Sequence, residues 1–509
     1  MSELRADETL RGEPVAMDFP NSRKAVSGFR VFATNERLLL FLFLLTLPLA
    51  NPWVRGDGVG YYAYFRSALI DHDLRFENDY LAANESFVIA HVDAQGRLLP
   101  HFYTKTGYVE NHFSVGPAIL WAPVLLVVHV GVLLANHFGA HVVADGYSRP
   151  YLIAMALTTA CYGFLSLFLA LRIAQKYFDS RWSFVATVAI WLASSLPVYM
   201  YFNPSWSHAH SAFTVALYLW YWDRTRLQRT AAQCAILGLI AGLMGNVYYP
   251  NVILLMFPAL EVIHFLGVEQ LNSHRFTILI QKLTLRCGVF VAAFVASLFP
   301  TFITRQIIYG GPFETGYPAI WTWNWTSPAL LKVLFSSDHG MFSWTPILIL
   351  AVGGLPLLIK RDALLGAGSL LTFLGLYYFI ACYCDWDGLS SYGNRFFVSL
   401  TPIFILGLAA LLSSISRWLG KTTRAVAVAY PVLVLLIVWN AGFIFQWGTH
   451  MVPPRGEISW STMIQNQFAE VPLRVTHGVK VYFTRRSEMM LQIEKEDIGH
   501  QKAHQGPDN

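Results

Sequence analysis

Apolar segments of about 20 residues recur along the whole chain and constrain its fold more than any other feature. Hydrophobic residues make up 55% of the 509 positions and charged residues only 13%, whereas a soluble globular chain is about 25% charged. The sequence therefore predicts an all-α polytopic membrane protein with about 11 transmembrane helices. The candidate spans are residues 37–54, 150–175, 182–202, 211–222 with its flanks, 231–249, 251–267, 286–308, 343–359, 364–382, 397–415 and 425–446.

One further apolar run, "VGPAILWAPVLLVVHVGVLL" at 115–134, has two interpretations. It could cross the membrane, or it could lie along it. Lys and Arg concentrate in cytoplasmic loops, and the basic clusters share the side of the N-terminal tail only if this run does not cross. Those clusters lie at 172–181, 224–229, 275–286, 360–361 and 417–424. We therefore favour the topology in which 115–134 does not cross.

This topology divides the chain into three parts. Residues 1–36 form a cytoplasmic tail, residues 37–446 form the multispan membrane domain, and residues 447–509 form a short extracytoplasmic segment. The first outer loop, residues 55–149, is large, and we expect its helices to lie against the membrane. A loop of that length usually carries function. The basic residues form no Lys/Arg tract, which argues against a nucleic-acid partner.

Asp57 stands near the start of this outer loop, in "NPWVRGDGVGYYAYFRSALIDHD" (51–73). Tyr61, Phe65 and Leu69 fall on one face of a helix that could rest on the bilayer surface. The aspartate has two interpretations. It could cap this helix by accepting hydrogen bonds from free N–H groups, or it could act on the headgroup of a lipid-linked substrate at the outer mouth of the first span.

The order of motifs in the first half of the chain is distinctive. An N-terminal span is followed by "GDGVGYYAYFRSALIDHDLRF", then by "GYVENHFSVGPAILWAPVLLVVHVG", then by "ADGYSRPYLIAMALTTACYGF", and "YGNRFFVSLTPIFILGLA" opens a late span. This arrangement resembles the GT-C superfamily of polyprenyl-phosphate-dependent glycosyltransferases, in particular the branch with protein O-mannosyltransferases and lipid A aminoarabinose transferases. The resemblance covers about residues 37–225 in order and spacing.

The resemblance implies an inverting glycosyltransferase with a GT-C-like fold in the cell inner membrane. Asp57 would take the proton from an acceptor hydroxyl, which then attacks the anomeric carbon of a sugar held by a polyprenyl phosphate. General-base catalysis of this kind contributes about 10²–10⁴-fold. The implied partners are the lipid-phosphate donor, surrounding membrane lipids, and a glycan, lipid or protein acceptor.

Cationic groups would stabilise the negative charge on the departing phosphate. The outer-side candidates are Lys105, His112, Arg149 and Arg395. Arginine suits phosphate best, because its planar fork binds two oxygens. Each residue also has a simpler interpretation: the arginines could reach lipid headgroups at the interface, and the other two could be solvated loop residues.

Two further groups are candidates for substrate or metal binding. His208 and His210, in "SWSHAHSAF", occupy a position where many relatives have an acidic residue, and this departure puts a family-type metal site in doubt. At i, i+2 on a helix they do not share a face. Asp71 and Asp73, in "DHD", could hold a divalent metal through hard oxygen ligands, although such a pair is more often a polar turn that closes a helix.

Two other classes of function fit a multispan body with large outer loops. A lipid-linked oligosaccharide polymerase or ligase also needs Arg and His near a phosphate, but it would add many sugars rather than one. A transporter or flippase would need helices broken at mid-membrane and intramembrane charge, and charged residues are scarce within the apolar segments. We therefore favour the glycosyltransferase over both.

Overall fold

A computed structural model describes residues 34–504 of the chain, except 227–228, 269–272, 455 and 457. Within this part, all regular elements are helices apart from two isolated β-bridges in the first outer loop. The predicted all-α membrane fold class is confirmed. Most of the predicted tail, residues 1–33, and the final residues 505–509 lie outside the described residues.

Twelve of the long helices in the described residues correspond to the eleven predicted spans, two of them to the span at 286–308, and four more lie elsewhere. They are α1 (Thr34–Thr46), α2 (Asp57–Arg66), α3 (Gly116–His137), α4 (Arg149–Tyr177), α5 (Ser180–Ala193), α6 (His208–Thr225), α7 (Ala231–Val247), α8 (Met256–Val268), α9 (Ser273–Ser297), α10 (Phe299–Tyr309), α11 (Ile347–Ile359), α12 (Ala363–Cys382), α13 (Thr401–Trp418), α14 (Thr422–Gly448), α15 (Val471–Thr484) and α16 (Arg486–His504).

Short helical segments connect them. They are Leu47–Leu49, Ser67–Asp71, Glu77–Leu81, Glu85–Ile89, Pro100–Phe102, Val198–Phe202, Tyr249–Leu255, Ile320–Thr322, Leu330–Phe335, Met341–Trp344, Arg395–Leu400, Trp460–Gln465 and Asn466–Glu470.

Each of the eleven predicted spans contains a helix, but several helices are short. By length and apolar composition alone, six helices in the described residues could cross a membrane. A seventh results if α9 and α10, which meet at a 43° bend, are one broken span. Pro300 lies at this bend and lacks the N–H that would continue the hydrogen-bond ladder. The fold is that of a multi-pass membrane protein, and the number eleven stays a prediction.

The ambiguous run at 115–134 forms α3, which is long and apolar enough to cross a membrane. Its side-chain hydrogen bonds to α4 all involve the N-terminal half of that 29-residue helix. The Trp121 indole donates to Thr159 over 2.9 Å, and His129 bonds the Tyr151 hydroxyl at 2.6 Å. The helix thus lies beside the N-terminal half of α4, and the topology in which it does not cross stays a prediction.

Two hydrophobic clusters organise the molecule. The larger joins α1, α4–α8 and α11–α14 into one helical core. The smaller joins α2 with the rest of the outer loop, α3 and the first turns of α4. Residues 58–65 of α2 are all buried, so this helix is covered on every side instead of resting on the bilayer along one face. We call the smaller cluster the outer layer.

The C-terminal segment folds back onto the start of the outer loop. In α15, the Tyr482 hydroxyl donates to the Leu49 carbonyl over 2.7 Å. In α16, Arg486 donates to the Ala50 carbonyl over 2.7 Å. The predicted segment 447–509 is therefore built largely as a pair of helices docked against the first span and the outer layer.

Candidate active site

A cavity of about 1070 Å³ lies where the outer layer, the helical core and the C-terminal helices meet. Asp57, His112 and Arg395 line its polar side. Ile437 of α14 and Val479 of α15 belong to its apolar side. The cavity therefore presents charged groups and a hydrocarbon-like surface to the same volume.

The outer layer supplies a third side, which combines aromatic rings with a carboxylate. Phe87 and Phe102 each stack with the imidazole of His91, and their ring centroids lie 4.0 and 4.6 Å from it. Glu110 lines the same side, and burial raises the pKa of its carboxyl. Rings and oxygen acceptors of this kind suit a polyhydroxylated ligand.

Asp57 is the first residue of α2, and its carboxylate pairs with Nη1 of Arg395. The N-cap position belongs to Gly56, and no side chain caps this helix. The interpretation of Asp57 as a helix cap is therefore wrong. Its side chain is 25% exposed, into the cavity, so the carboxylate remains accessible.

The glycines that flank Asp57 each meet a steric requirement. Gly56 has a φ of 53°, in the left-handed region that favours glycine. A Cβ on Gly58 would lie 1.9 Å from Oγ of Ser205. The "GDG" sequence thus lets the backbone turn sharply and pack directly against the loop before α6, which directs the aspartate toward Arg395.

Arg395 opens the helical turn that leads into α13. Its guanidinium lies over the ring of Trp206, 4.7 Å from the centroid. Its Nε has no hydrogen-bond partner among the described residues, and the side chain is 11% exposed. One nitrogen of the planar fork, Nη1, therefore binds Asp57, while Nε is a buried donor without a partner in the part of the chain that the structure describes.

Sequence reasoning missed the groups that hold this pair. The Trp206 indole donates to the Arg55 carbonyl over 3.0 Å. The Arg55 side chain lies over the Trp53 ring and forms an ion pair of 2.6 Å with Asp497 of α16. Aromatic residues are expected at a membrane interface in any case, so no local signal marked these contacts.

His112 reaches the cavity because a buried arginine holds its loop. Arg305 donates to the carbonyls of Asn111, His112 and Phe113 over 2.6, 2.9 and 2.8 Å. Burial lowers the pKa of His112 to about 4. The imidazole is therefore neutral at pH 7, and it serves the site as a hydrogen-bonding group instead of the predicted cation. Sequence reasoning also missed Arg305. The signal that could have identified it is its position within the apolar run 286–308, where a charged residue usually has a function.

The structure does not bring the other predicted residues to the cavity. Lys105 and Arg149 are exposed and do not line it. His208 and His210 are buried in separate aromatic surroundings, as their i, i+2 spacing predicts. His208 packs on Tyr199, and His210 packs between Trp121 and Tyr162.

The predicted metal candidates are engaged by protein donors. Asp71 accepts from Arg66 over 2.5 Å and from Asn78 over 2.7 Å. Asp73 accepts from the Ser67 hydroxyl over 2.7 Å. These contacts match the polar turn that closes the helix, and they do not fit a metal-binding pair. Among the described residues, no group of three or more His, Cys, Asp and Glu is placed to hold a metal ion.

Comparison with solved structures finds similar helical membrane enzymes at low identity. One match is an oligosaccharyltransferase from Archaeoglobus fulgidus in complex with Zn and sulfate (TM-score 0.47, 14% identity, 79% of this chain and 53% of that chain). Another is AglB from the same organism with an inhibitory peptide and a dolichol-phosphate (0.46, 12%, 82% and 58%). A third is ArnT from Cupriavidus metallidurans bound to undecaprenyl phosphate (0.44, 13%, 92% and 77%).

The chain spans about half the length of the archaeal structures it matches. No family model and no curated protein matches the chain. The likeness concerns the general course of the chain.

Proposed function

We propose that the protein is an inverting glycosyltransferase of the cytoplasmic membrane. It moves a sugar from a polyprenyl-phosphate donor to a hydroxyl of a glycan, lipid or protein acceptor at the outer face, with the N-terminus in the cytoplasm. The observation that carries this proposal is the Asp57–Arg395 pair, which lies at the edge of a cavity that is polar on one side and apolar on the other.

The cavity suits a donor that is both anionic and lipidic. The phosphate would bind the unoccupied donors of Arg395, since guanidinium matches phosphate oxygens in geometry. The polyprenyl chain would follow the apolar side toward Ile437. That residue also lines a second cavity of about 630 Å³ between α5 and α14, next to Phe184 and Val188. The two cavities share Ile437, and the lipid would follow them along the outside of the helical core.

The transfer step uses the two charged residues in complementary roles. The Asp57 carboxylate accepts the proton of the acceptor hydroxyl as its oxygen forms a bond to the anomeric carbon. On the opposite face of the sugar, the bond from that carbon to the phosphate oxygen breaks, and its electron pair leaves with the polyprenyl phosphate. For this step the Asp57–Arg395 contact opens to admit the sugar, and Arg395 then stabilises the charge that grows on the phosphate. Attack opposite the leaving group inverts the anomeric centre.

The aromatic side of the cavity would hold the acceptor or the transferred sugar. Phe87 and Phe102 offer apolar ring faces, and Glu110 and the neutral His112 offer acceptors for hydroxyl groups. No step is assigned to a divalent metal, because Asp71 and Asp73 are already bound by protein donors.

Replacement of Asp57 by Asn tests the proposal directly. Donor-dependent sugar transfer in membranes should fall by about 10²–10⁴-fold, because the amide cannot accept the proton. Asp71→Asn is the matched control, since Asp71 is an ion-paired aspartate of the same loop outside the cavity. Near-normal transfer by the Asp57 variant would overturn the proposal, and loss in the Asp71 variant alone would favour a metal site at the "DHD" turn.

Product analysis separates the proposal from the alternative functions. A transferase adds a single residue to each acceptor, whereas a polymerase produces a ladder of lengths. A transporter or flippase moves the intact lipid-linked sugar and leaves its glycosidic bond unbroken. Mass spectrometry of glycans and lipids from a deletion strain would identify the sugar that is lost and the molecule that normally carries it.

A further inference from the structure

The C-terminal helix forms part of the cavity wall. Met490, Ile493 and Asp497 of α16 line the cavity together with Asp57. The helix is bound to the outer layer mainly through polar contacts. Glu494 accepts from the backbone N–H of Ser86 over 2.6 Å, at the start of a short helix, and Asp497 binds Arg55. The end of the chain is thus attached to the outer layer at two separate points.

The contact through Asp497 leads to the proposed catalytic pair in three steps. Asp497 holds the Arg55 side chain over 2.6 Å. The Arg55 carbonyl accepts from the N–H of Gly58 and from the indole of Trp206, each over 3.0 Å. The Trp206 ring then supports the guanidinium of Arg395, which pairs with Asp57.

Each step in this series restricts the orientation of the next group. The peptide at Arg55 lies two residues before Asp57, so a rotation there moves both the start of α2 and the acceptor for Trp206. The Trp206 ring also lies close to Gly56, at 3.3 Å from where a Cβ would stand, and it has little room to adjust. The contact through Glu494 ends on residues 84–86 and does not enter this series.

We propose that Asp497 is a positioning residue for the reaction, acting through Arg55 and Trp206 on the geometry of the Asp57–Arg395 pair. The catalytic meaning of this inference rests on the proposed function. Asp497 thereby couples one turn of the C-terminal helix to the Asp57–Arg395 pair. Misplacement of reacting groups by about 1 Å can reduce a rate by 10²-fold, so loss of one positioning contact should be measurable.

Steady-state kinetics of the full-length protein in membranes gives the first test. Asp497→Asn should lower kcat by about 10-fold with little change in KM for the lipid donor, because the pair is misaligned but the binding surface remains. Glu494→Gln is the matched control on the same helix, and its kcat should stay near wild type. The exchange of Arg55→Asp together with Asp497→Arg should restore kcat. Equal kcat values for both single variants would overturn the inference.

A spectroscopic test needs no enzymatic activity. The protein is labelled with 5-fluorotryptophan, and the ¹⁹F resonance of Trp206 is assigned from its absence in Trp206→Phe. Asp497→Asn should shift or broaden this resonance, while Glu494→Gln should leave it in place. An unchanged resonance in Asp497→Asn would overturn the inference.

The two tests together separate this inference from the proposed function. If the Trp206 resonance responds to Asp497 but wild-type membranes transfer no sugar, the positioning network stands and the proposed function fails. If sugar transfer is present and neither kcat nor the resonance responds to Asp497, the proposed function stands and the positioning role fails.

Discussion

Two arginine–carboxylate groups of this molecule differ in how fully their donors and acceptors are used. We call them the outer group, Asp57 with Arg395, and the inner group, Arg226 with Asp223 and Asp362. In the outer one, the described contacts of Arg395 are Asp57 and two aromatic rings, with Nε left unbonded beside a cavity. In the inner one, Arg226 donates to Asp362 through both Nη atoms, at 2.8 and 2.5 Å, and also to the Tyr177 hydroxyl at 2.8 Å.

The two carboxylates of the inner group also accept several hydrogen bonds. Asp223 accepts from Lys176 over 2.8 Å and from Tyr177, and Asp362 also caps α12 by accepting from the N–H of Leu365 over 2.9 Å. A network of this kind joins helix ends through many mutual contacts. The outer pair is incomplete by comparison, and this incompleteness next to a cavity distinguishes a binding group from a structural one.

The largest of these effects is expected from a substitution that breaks the Asp57–Arg395 pair but keeps the positive charge at position 395. Arg395→Lys should lower sugar transfer by about 10²–10³-fold, because an ammonium cannot bind Asp57 and a phosphate oxygen in the same plane. The measurement is kcat in membranes, with donor binding followed by titration with undecaprenyl phosphate. A variant that retains at least half of the wild-type kcat would show that the fork geometry is not used.

A slightly smaller effect is expected when the inner network is broken. Arg226→Met leaves two carboxylates facing each other near Tyr177, and it should destabilise the protein by about 3 kcal/mol. Thermal unfolding in detergent checks this, with Arg224→Met as the control, since the contact of Arg224 within the described part of the chain is with the Trp220 ring. The folded fraction of the Arg226 variant should transfer sugar normally. Lost kcat with unchanged stability would remove the distinction between the two groups.

The smallest effect concerns pH. Because burial lowers the pKa of His112 from 6.5 to about 4, the unfolded chain binds more protons than the folded one between these values. Stability should therefore fall as pH decreases from about 6.5 to 4. His112→Gln should remove part of this slope in melting temperature while keeping most of the transfer activity. An identical slope in the variant would show that His112 does not remain neutral in the fold.

Sequence reasoning identified the two residues of the outer pair because each lies beside the outer end of a predicted span. Asp57 follows the first span, and Arg395 opens a late one. Topology alone places such residues at the same membrane face, although it does not bring them into contact. The helix-cap interpretation of Asp57 was wrong because Gly56, with its positive φ, takes the cap position.

The rest of the site depends on contacts that leave no local pattern. Arg55 and Asp497 are 442 positions apart, and the weakly amphipathic patch near 488–498 does not indicate which part of the chain it contacts. The sequence suggested that His208 and His210 could bind substrate or metal. The structure buries them among aromatic residues from α3, α4 and the turn before α6. Side-chain burial of this kind is decided by packing between distant segments.

The docking of α16 against the start of the outer loop has a consequence for biosynthesis. Residues from both ends of the described chain wall the same cavity, so a nascent protein acquires a complete site only after its final helix has been made and delivered to the outer layer. A chain that ends between Arg395 and α16 has the aspartate and its arginine without the helix that completes the cavity wall. A stop codon between α14 and α16 would therefore give a protein that has the Asp57–Arg395 pair but lacks this wall of the cavity.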